Sequence, residues 1–151
     1  MTILLLAIHV LAALFWVGGM AFAYFVLRPA AAPLEPAARL ALWRGVFSRF
    51  LPWVGWAAAA LLVTGFAMIF VIFGGFATAP VSVHVMMLTG IVMTLLYLHI
   101  LFAPWKRFDA AVDGGDFATG AKNLDKIRRF VGINLVLGIL TVAIAATGRY
   151  W

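Results

Sequence analysis

The sequence contains no cysteine and few charged residues, and both shortages limit what the protein can be. Without thiols it has no disulfide framework, thiolate zinc site, iron–sulfur cluster, catalytic cysteine or covalent c-type haem attachment. Any metal ion would need histidine, methionine or oxygen ligands. Charged residues make up 11% of the chain and hydrophobic residues 66%, a balance far from that of soluble domains. The chain is therefore predicted to be an integral membrane protein.

Groups for acid–base catalysis are also missing from the apolar parts of the sequence. They contain no paired carboxylates, no nucleophile–base pair, no phosphate-binding loop and no acidic residue within a span. These absences argue against an acid–base enzyme. The net charge of +6 comes from basic residues gathered in two connections, which membrane topology explains, so no nucleic-acid partner is expected.

Four apolar runs are long enough to cross a bilayer. The expected spans are 2–27, 52–73, 81–103 and 127–147, all in one transmembrane domain, 1–151. Arg28-Pro29, Gly74-Gly75 and Pro104 are predicted to end the first three spans. The first run is longer than a signal-peptide core and lacks a basic start, so we expect it to be retained. The predicted fold is an all-α membrane four-helix bundle.

Nearly all basic residues lie in the two long connections. The first connection is predicted to hold a short interfacial helix, Ala37 to Phe50, because its aromatic and leucine residues recur every three or four positions. The third is polar, and Gly114-Gly115 divides it into two helical pieces. Of the 11 Lys and Arg residues, only Arg149 lies outside these connections. The positive-inside rule then predicts cytoplasmic long connections and outside termini, in the bacterial inner membrane.

Three histidines are the main candidates for chemistry. His9 and His84 lie on different spans, about 10 Å and about 6 Å from the predicted outer ends at ~1.5 Å per residue. His99 lies about 22 Å beyond His84, near the predicted cytoplasmic side. Because histidine is costly in a membrane, and two at similar depth suit the axial positions of one iron, we predict that His9 and His84 bind a b-type haem. For a single histidine, a hydrogen bond to Ser, Thr or backbone is the competing interpretation.

Small and aromatic residues follow His9 on the first span. Trp16, Gly18 and Gly19 are predicted to surround the haem, together with Arg149 from the far end of the chain. The glycines leave room for a flat ligand between helices. They serve close helix packing equally well, so they are weak evidence for a cofactor.

Methionines introduce copper as the competing metal. His84 and Met87 share a helix face and supply the imidazole and thioether ligands that suit Cu(I). His99 has no second intramembrane histidine at its depth, so a second bis-histidine haem is not expected. Met20 lies at a similar depth, so a His/Met haem site with His99 is a weaker hypothesis. Packing is the competing role for each methionine.

Two segments resemble the CopD-like family of small membrane proteins: HVLAALFWVGG, from His9 to Gly19, and IRRFVGINLVL, at 127–137. The resemblance implies a four-helix membrane fold with a role in copper handling, or in b-type haem binding as in distantly similar proteins. One such relative is the HemJ type of protoporphyrinogen oxidase, which has a similar first-span histidine and uses a membrane-embedded lysine. Here Lys106, Lys122 and Lys126 all fall in the third connection, which argues against that activity.

Three functions follow as hypotheses from the sequence. The first is a haem b protein that exchanges electrons with a quinone or an extracytoplasmic redox partner. The second is a copper transport or resistance protein that uses His9, His84 and Met87. The third is a structural membrane partner without a cofactor. In each case the bilayer is a partner, and small-residue faces would permit a homodimer.

Overall fold

The computed structural model describes residues 1–148 and Tyr150, and the regular structure of this part of the chain is entirely helical. The helices are α1 (Thr2–Ala31), α2 (Pro36–Phe73), α3 (Val81–Phe102), α4 (Pro104–Asp113) and α5 (Phe117–Thr147). Within these residues, four segments are long and apolar enough to cross a membrane: α1, α2, α3 continued by α4, and α5. The predicted all-α four-helix membrane fold is confirmed, and the orientation of the termini stays a prediction.

Two prolines that were expected to end or begin spans lie inside helices instead. The predicted end of the first span at Arg28-Pro29 is wrong, because α1 continues to Ala31. A π-helical turn, Ala23–Leu27, lies just before Arg28-Pro29. The backbone N–H of Arg28 donates to the Ala23 carbonyl, five residues earlier. This widened turn changes the hydrogen-bond register where the proline has no N–H to donate.

The predicted separation between an interfacial helix ending at Phe50 and a span beginning near Pro52 is also absent. Helix α2 runs unbroken for 38 residues with Pro52 inside it. The Tyr97 hydroxyl donates a hydrogen bond to the Leu51 carbonyl, next to this proline, at 3.0 Å. The carbonyl that Pro52 leaves without a helical donor is that of Ser48, four residues earlier, so the Tyr97 bond is an additional tie between α3 and α2.

The predicted breaks at Gly74-Gly75, Pro104 and Gly114-Gly115 coincide with helix ends in the structure, whereas the predicted start of the fourth span at 127 lies inside a helix. Gly74 ends α2 with a left-handed backbone, φ 74°, a conformation that glycine adopts without steric cost. Pro80 is the N-cap of α3, and Pro104 begins α4 after a sharp bend at Ala103. The turn at Gly114-Gly115 separates α4 from α5. The second helical piece of the third connection then continues into the last span without a break.

The helices pack chiefly in two pairs, α1 with α2 and α3 with α5, while α4 folds back along α5. Most buried side chains lie toward the end of the bundle that holds the two long connections, which we call the basic end. They include Trp16, Met20, Trp43, Phe47, Tyr97, Phe108 and Ile127. At the opposite end, beyond Trp16 of α1 and Gly138 of α5, the buried residues among those described are Thr64, Ile69 and Ser82.

Polar contacts tie the basic end together. Arg44 of α2 donates to Asp109 of α4 at 2.6 Å and to Asp113 at 2.9 Å. Asn134 of α5 is buried and donates to the Met93 carbonyl of α3 at 3.2 Å. Specific hydrogen bonds matter here because lipid tails are as apolar as the helix surfaces, so apolar burial alone does not drive helices together in a bilayer.

Candidate metal-binding histidines

His9 lies on the face of α1 that packs against α2, and its ring is half-buried. Its Nδ1 lies 2.8 Å from the hydroxyl oxygen of Thr64 on α2. The Thr64 hydroxyl donates its single proton to the Ala60 carbonyl at 2.6 Å, so it accepts from His9. The neutral ring therefore carries its proton on Nδ1 and keeps the lone pair of Nε2.

Gly65 gives the ring of His9 its space. A Cβ atom at this position would lie 3.2 Å from His9 Cε1, closer than nearly all real Cβ contacts. Thr64 of α2 thus holds the imidazole by a hydrogen bond, and Gly65 of the same helix leaves the space that the ring occupies. The sequence interpretation did not single out these two residues, although Thr64 is a lone hydroxyl within the apolar stretch from Leu61 to Phe73.

His84 lies one turn into α3 and is half-buried. Its Nδ1 lies 3.1 Å from the carbonyl oxygen of Pro80 on the same helix. A carbonyl oxygen only accepts, so Nδ1 of His84 is the donor and Nε2 again keeps the lone pair. Histidines that bind metal ions commonly donate their other ring N–H to a carbonyl or hydroxyl partner in this manner.

The two histidines stand on helices at opposite corners of the bundle. Helix α1 packs against α2 and α5, and α3 packs against the same two helices. Between α1 and α3, the rings of Trp16 and Tyr97 pack edge-on with their centroids 6.3 Å apart. This contact lies nearer the basic end than the two histidines do. Each histidine has a hydrogen-bond partner of its own, and Met87, one turn from His84 on α3, is half-buried.

The residues predicted to surround a haem have distinct packing roles. Trp16 is buried in the core against Tyr97. A Cβ on Gly19 would meet the Phe50 ring at 2.5 Å, so this glycine lets α2 approach α1. Gly18 is exposed, and a Cβ there would meet nothing within 4 Å. Arg149 lies outside the described residues.

The second predicted pair, His99 and Met20, has a different environment. His99 is exposed on α3, and its ring packs edge-on against Phe130 of α5 at 4.7 Å between centroids. Met20 is 2% exposed within the core. Across residues 1–148 and 150, no group of three or more His, Asp or Glu side chains is arranged to hold a metal ion.

Comparison with known proteins gives one match. A family model described as copper resistance protein D matches residues 44–147, which is more than half of the chain and contains His84, Met87 and His99. The matched region begins within α2, so His9 and the rest of α1 precede it. No curated protein and no solved structure matches, and the resemblance to HemJ-type haem proteins has no match of its own. The chain belongs to the copper resistance protein D family.

Proposed function

We propose that the protein is a copper resistance protein of the bacterial inner membrane that binds copper through His9, His84 and Met87. The family match over residues 44–147 is the observation that carries the proposal. The same match favours a copper function over the haem b function, because the family description names copper resistance. Copper is here the ion handled by the protein, and these three side chains are its proposed ligands.

The donor chemistry of these residues fits reduced copper. Imidazole nitrogen and thioether sulfur both bind Cu(I), and both His9 and His84 have Nε2 available because Nδ1 donates to a protein oxygen. Met87 lies three residues after His84, so the two side chains project from one face of α3. An apolar membrane environment also favours the monovalent ion over a more highly charged one.

The proposed ligands lie in the half of the bundle with few buried side chains. Helix α1 has none before Trp16, and the buried positions of α3 begin again at Met93 after Ser82. An ion-binding site needs a route for entry, and loosely packed helix ends supply one more readily than a filled core.

The proposal is tested by measuring Cu(I) binding to the purified full-length protein. Under anaerobic reducing conditions, a chromophoric chelator competes for copper, and metal analysis gives the ratio of copper to protein. His9→Ala, His84→Ala and Met87→Leu should each weaken Cu(I) binding by more than about tenfold. Loss of a residue that merely orients a ligand already costs about 10–100-fold, so loss of a ligand should cost at least as much.

Two matched variants serve as controls. Met86→Leu removes a neighbouring thioether that points to a different side of α3, and His99→Ala removes the histidine near the basic end. Neither should change Cu(I) affinity appreciably. Equal affinity in all five variants would show that the ligand assignment is wrong.

An absorption spectrum of the same sample separates the haem hypothesis. Protein that carries copper and no haem supports the copper function. A sharp reduced b-type band that disappears in His9→Ala and His84→Ala would favour the haem protein, with a quinone or an extracytoplasmic redox partner. If neither copper nor haem binds, the result favours the third hypothesis, a structural membrane partner without a cofactor.

A further inference from the structure

A narrow cleft lies at the basic end of the bundle, far along the helices from His9 and His84. It is bounded by α1, α2 and α5, and its walls include Tyr24, Arg28, Trp43, Phe47 and Arg128. The π-helical turn of α1, Ala23–Leu27, contributes Tyr24 to this wall. Such turns are rare and occur often at functional sites, which makes the cleft a candidate binding site.

Two hydrogen-bond donors of the cleft are buried without an acceptor. Trp43 is 3% exposed, and neither its Nε1 nor the Nε of Arg128 has a partner among the described residues. Leaving such a donor unpaired costs about 1–3 kcal/mol, and more for a charged group. Two unpaired donors on residues that line one cleft are explained if an acceptor from outside the protein chain binds there.

The cleft is also rich in uncompensated positive charge. Arg28 and Arg39 are the cations that act on Arg128, and Asp125 is the acid that opposes them. Asp125 already pairs with Arg129 at 3.1 Å. The other arginine nearby on α2, Arg44, has Asp109 and Asp113 as its own partners. An anion in the cleft would therefore relieve repulsion as well as accept hydrogen bonds.

The aromatic walls hold the two guanidinium groups in place. The Arg128 guanidinium carbon lies 5.8 Å from the centre of the Trp43 ring, and that of Arg28 lies 5.2 Å from the Tyr24 ring. Both distances suit cation–π contacts. Arginine presents a planar fork of donors that matches the oxygens of a phosphate, and stacking on a ring limits its rotation before the ligand arrives.

We propose that this cleft binds the phosphate group of an anionic phospholipid. Arg28 follows the apolar part of α1 and Arg128 precedes that of α5, so the cleft lies at headgroup depth. Its enclosed volume is about 20 Å³, little more than the space for one water-sized atom. The Trp43 and Arg128 N–H groups are buried, so these side chains turn toward the phosphate when it binds, and the rest of the headgroup stays at the mouth with exposed Arg28.

The test compares lipid binding to the delipidated full-length protein in a neutral detergent. Native mass spectrometry and thermal unfolding are recorded with phosphatidylglycerol, with a neutral glycolipid of the same acyl chains, and with inorganic phosphate. Phosphatidylglycerol should bind and raise the melting temperature, whereas the glycolipid and free phosphate should do so much less. Arg28→Gln and Arg128→Gln should each weaken phosphatidylglycerol binding by about tenfold, since each removes charged hydrogen bonds.

Trp43→Phe keeps an aromatic ring and removes the N–H, so it should also weaken binding of phosphatidylglycerol. Arg129→Gln is the matched control, because Arg129 is adjacent in sequence, exposed and already paired with Asp125. It should leave binding unchanged. Equal losses in the Arg128 and Arg129 variants would overturn the proposal, since they would show attraction to net charge alone.

A second comparison keeps the proposal testable where a variant is unstable. Arg128→Met should lower the melting temperature with phosphatidylglycerol present but leave it unchanged or raise it in lipid-free detergent, because it removes a repelled and unpaired cation. A fall of the same size in both conditions would show that Arg128 acts only within the protein. Stabilisation by inorganic phosphate equal to that by phosphatidylglycerol would overturn the lipid as ligand. These outcomes are independent of copper binding.

Discussion

The bond between His9 and Thr64 determines which nitrogen of the proposed copper ligand is free. Replacing Thr64 by Val keeps the branched shape and removes the acceptor for His9 Nδ1–H. The ring then loses the partner that fixes its proton and orientation, while Gly65 still leaves space for it. We expect Thr64→Val to weaken Cu(I) binding by about tenfold, as measured by chelator competition.

Thr94→Val is the control for this prediction. Thr94 is half-buried on α3, and its hydroxyl donates to the Gly90 carbonyl of its own helix. Removing that hydroxyl disturbs no histidine, so Cu(I) affinity should stay that of the wild type. If Thr64→Val binds Cu(I) as tightly as Thr94→Val does, the Thr64 bond has no part in the copper site.

Helix α5 comes very close to α1 and α3 at a single glycine, Gly138. A Cβ on Gly138 of α5 would lie 2.9 Å from Val17 Cγ2 of α1 and 3.2 Å from Met93 Cε of α3. Val17 is β-branched and short, so it yields only if the helices separate. We expect overpacking at Gly138→Ala to cost about 1–3 kcal/mol, of which the higher helix propensity of alanine offsets about 1, so the melting temperature in detergent should fall.

Gly18→Ala provides the comparison on α1. Nothing lies within 4 Å of a Cβ at this position, and alanine favours helix over glycine by about 1 kcal/mol. The melting temperature should therefore stay the same or rise. A loss of stability at Gly18 that equals the loss at Gly138 would contradict this assignment of helix contacts.

The N-terminus of α5 gives a prediction about acid. The Asp116 carboxylate accepts a hydrogen bond from the backbone N–H of Thr119 at 3.0 Å, and this bond lowers the pKa of Asp116. A lowered folded-state pKa adds stability above the unfolded pKa, and that stability is lost as the pH falls through the folded-state value. Asp116→Asn keeps a capping side chain without this titration.

Melting temperatures of wild type and Asp116→Asn should therefore differ most near neutral pH and converge in acid. The expected difference is small because the carboxylate is exposed to solvent. A difference that stays constant from neutral pH into acid would show that the charge of Asp116 does not contribute to the cap.

Helix boundaries show how far local sequence rules reach. Gly74 and Pro104 act within one turn of the backbone, so their effects were predictable without knowing the fold. Pro29 was predicted to end a helix and Pro52 to begin one, and both lie inside helices. A π turn before Pro29 shifts the backbone register there, and the Tyr97 hydroxyl ties α3 to α2 beside Pro52. The first depends on backbone register and the second on Tyr97 of another helix, and neither is visible as a local pattern.

The candidate site was predictable to a similar extent. Histidine is so costly within a membrane that His9 and His84 stand out by their positions in apolar runs of the sequence. Their partners do not stand out, because Thr64 and Gly65 lie on another helix and become significant only when α1 and α2 are packed. The preference for copper over haem came from the family match, since imidazole nitrogen serves both metals.

At the scale of the whole molecule, the two ends of the bundle differ in packing and charge. Arg28, Arg44 and Arg128 lie at the well-packed basic end, and the proposed copper ligands lie toward the other end. The positive-inside rule predicts that the basic end lies in the cytoplasm, which would turn His9 and His84 toward the extracytoplasmic side. Copper would then meet these ligands from outside, and the proposed lipid site would face the inner leaflet.

The absence of cysteine makes this orientation directly testable. Single cysteines at exposed Ala77, in the connection between α2 and α3, and at exposed Ala121, near the start of α5, lie on opposite sides of the predicted membrane. In intact cells with a permeable outer membrane, a charged maleimide that cannot cross the inner membrane should label Ala77→Cys and not Ala121→Cys. After lysis both should react, which controls for reactivity. Labelling of Ala121→Cys alone in intact cells would invert the molecule, and the copper ligands would then face the cytoplasm.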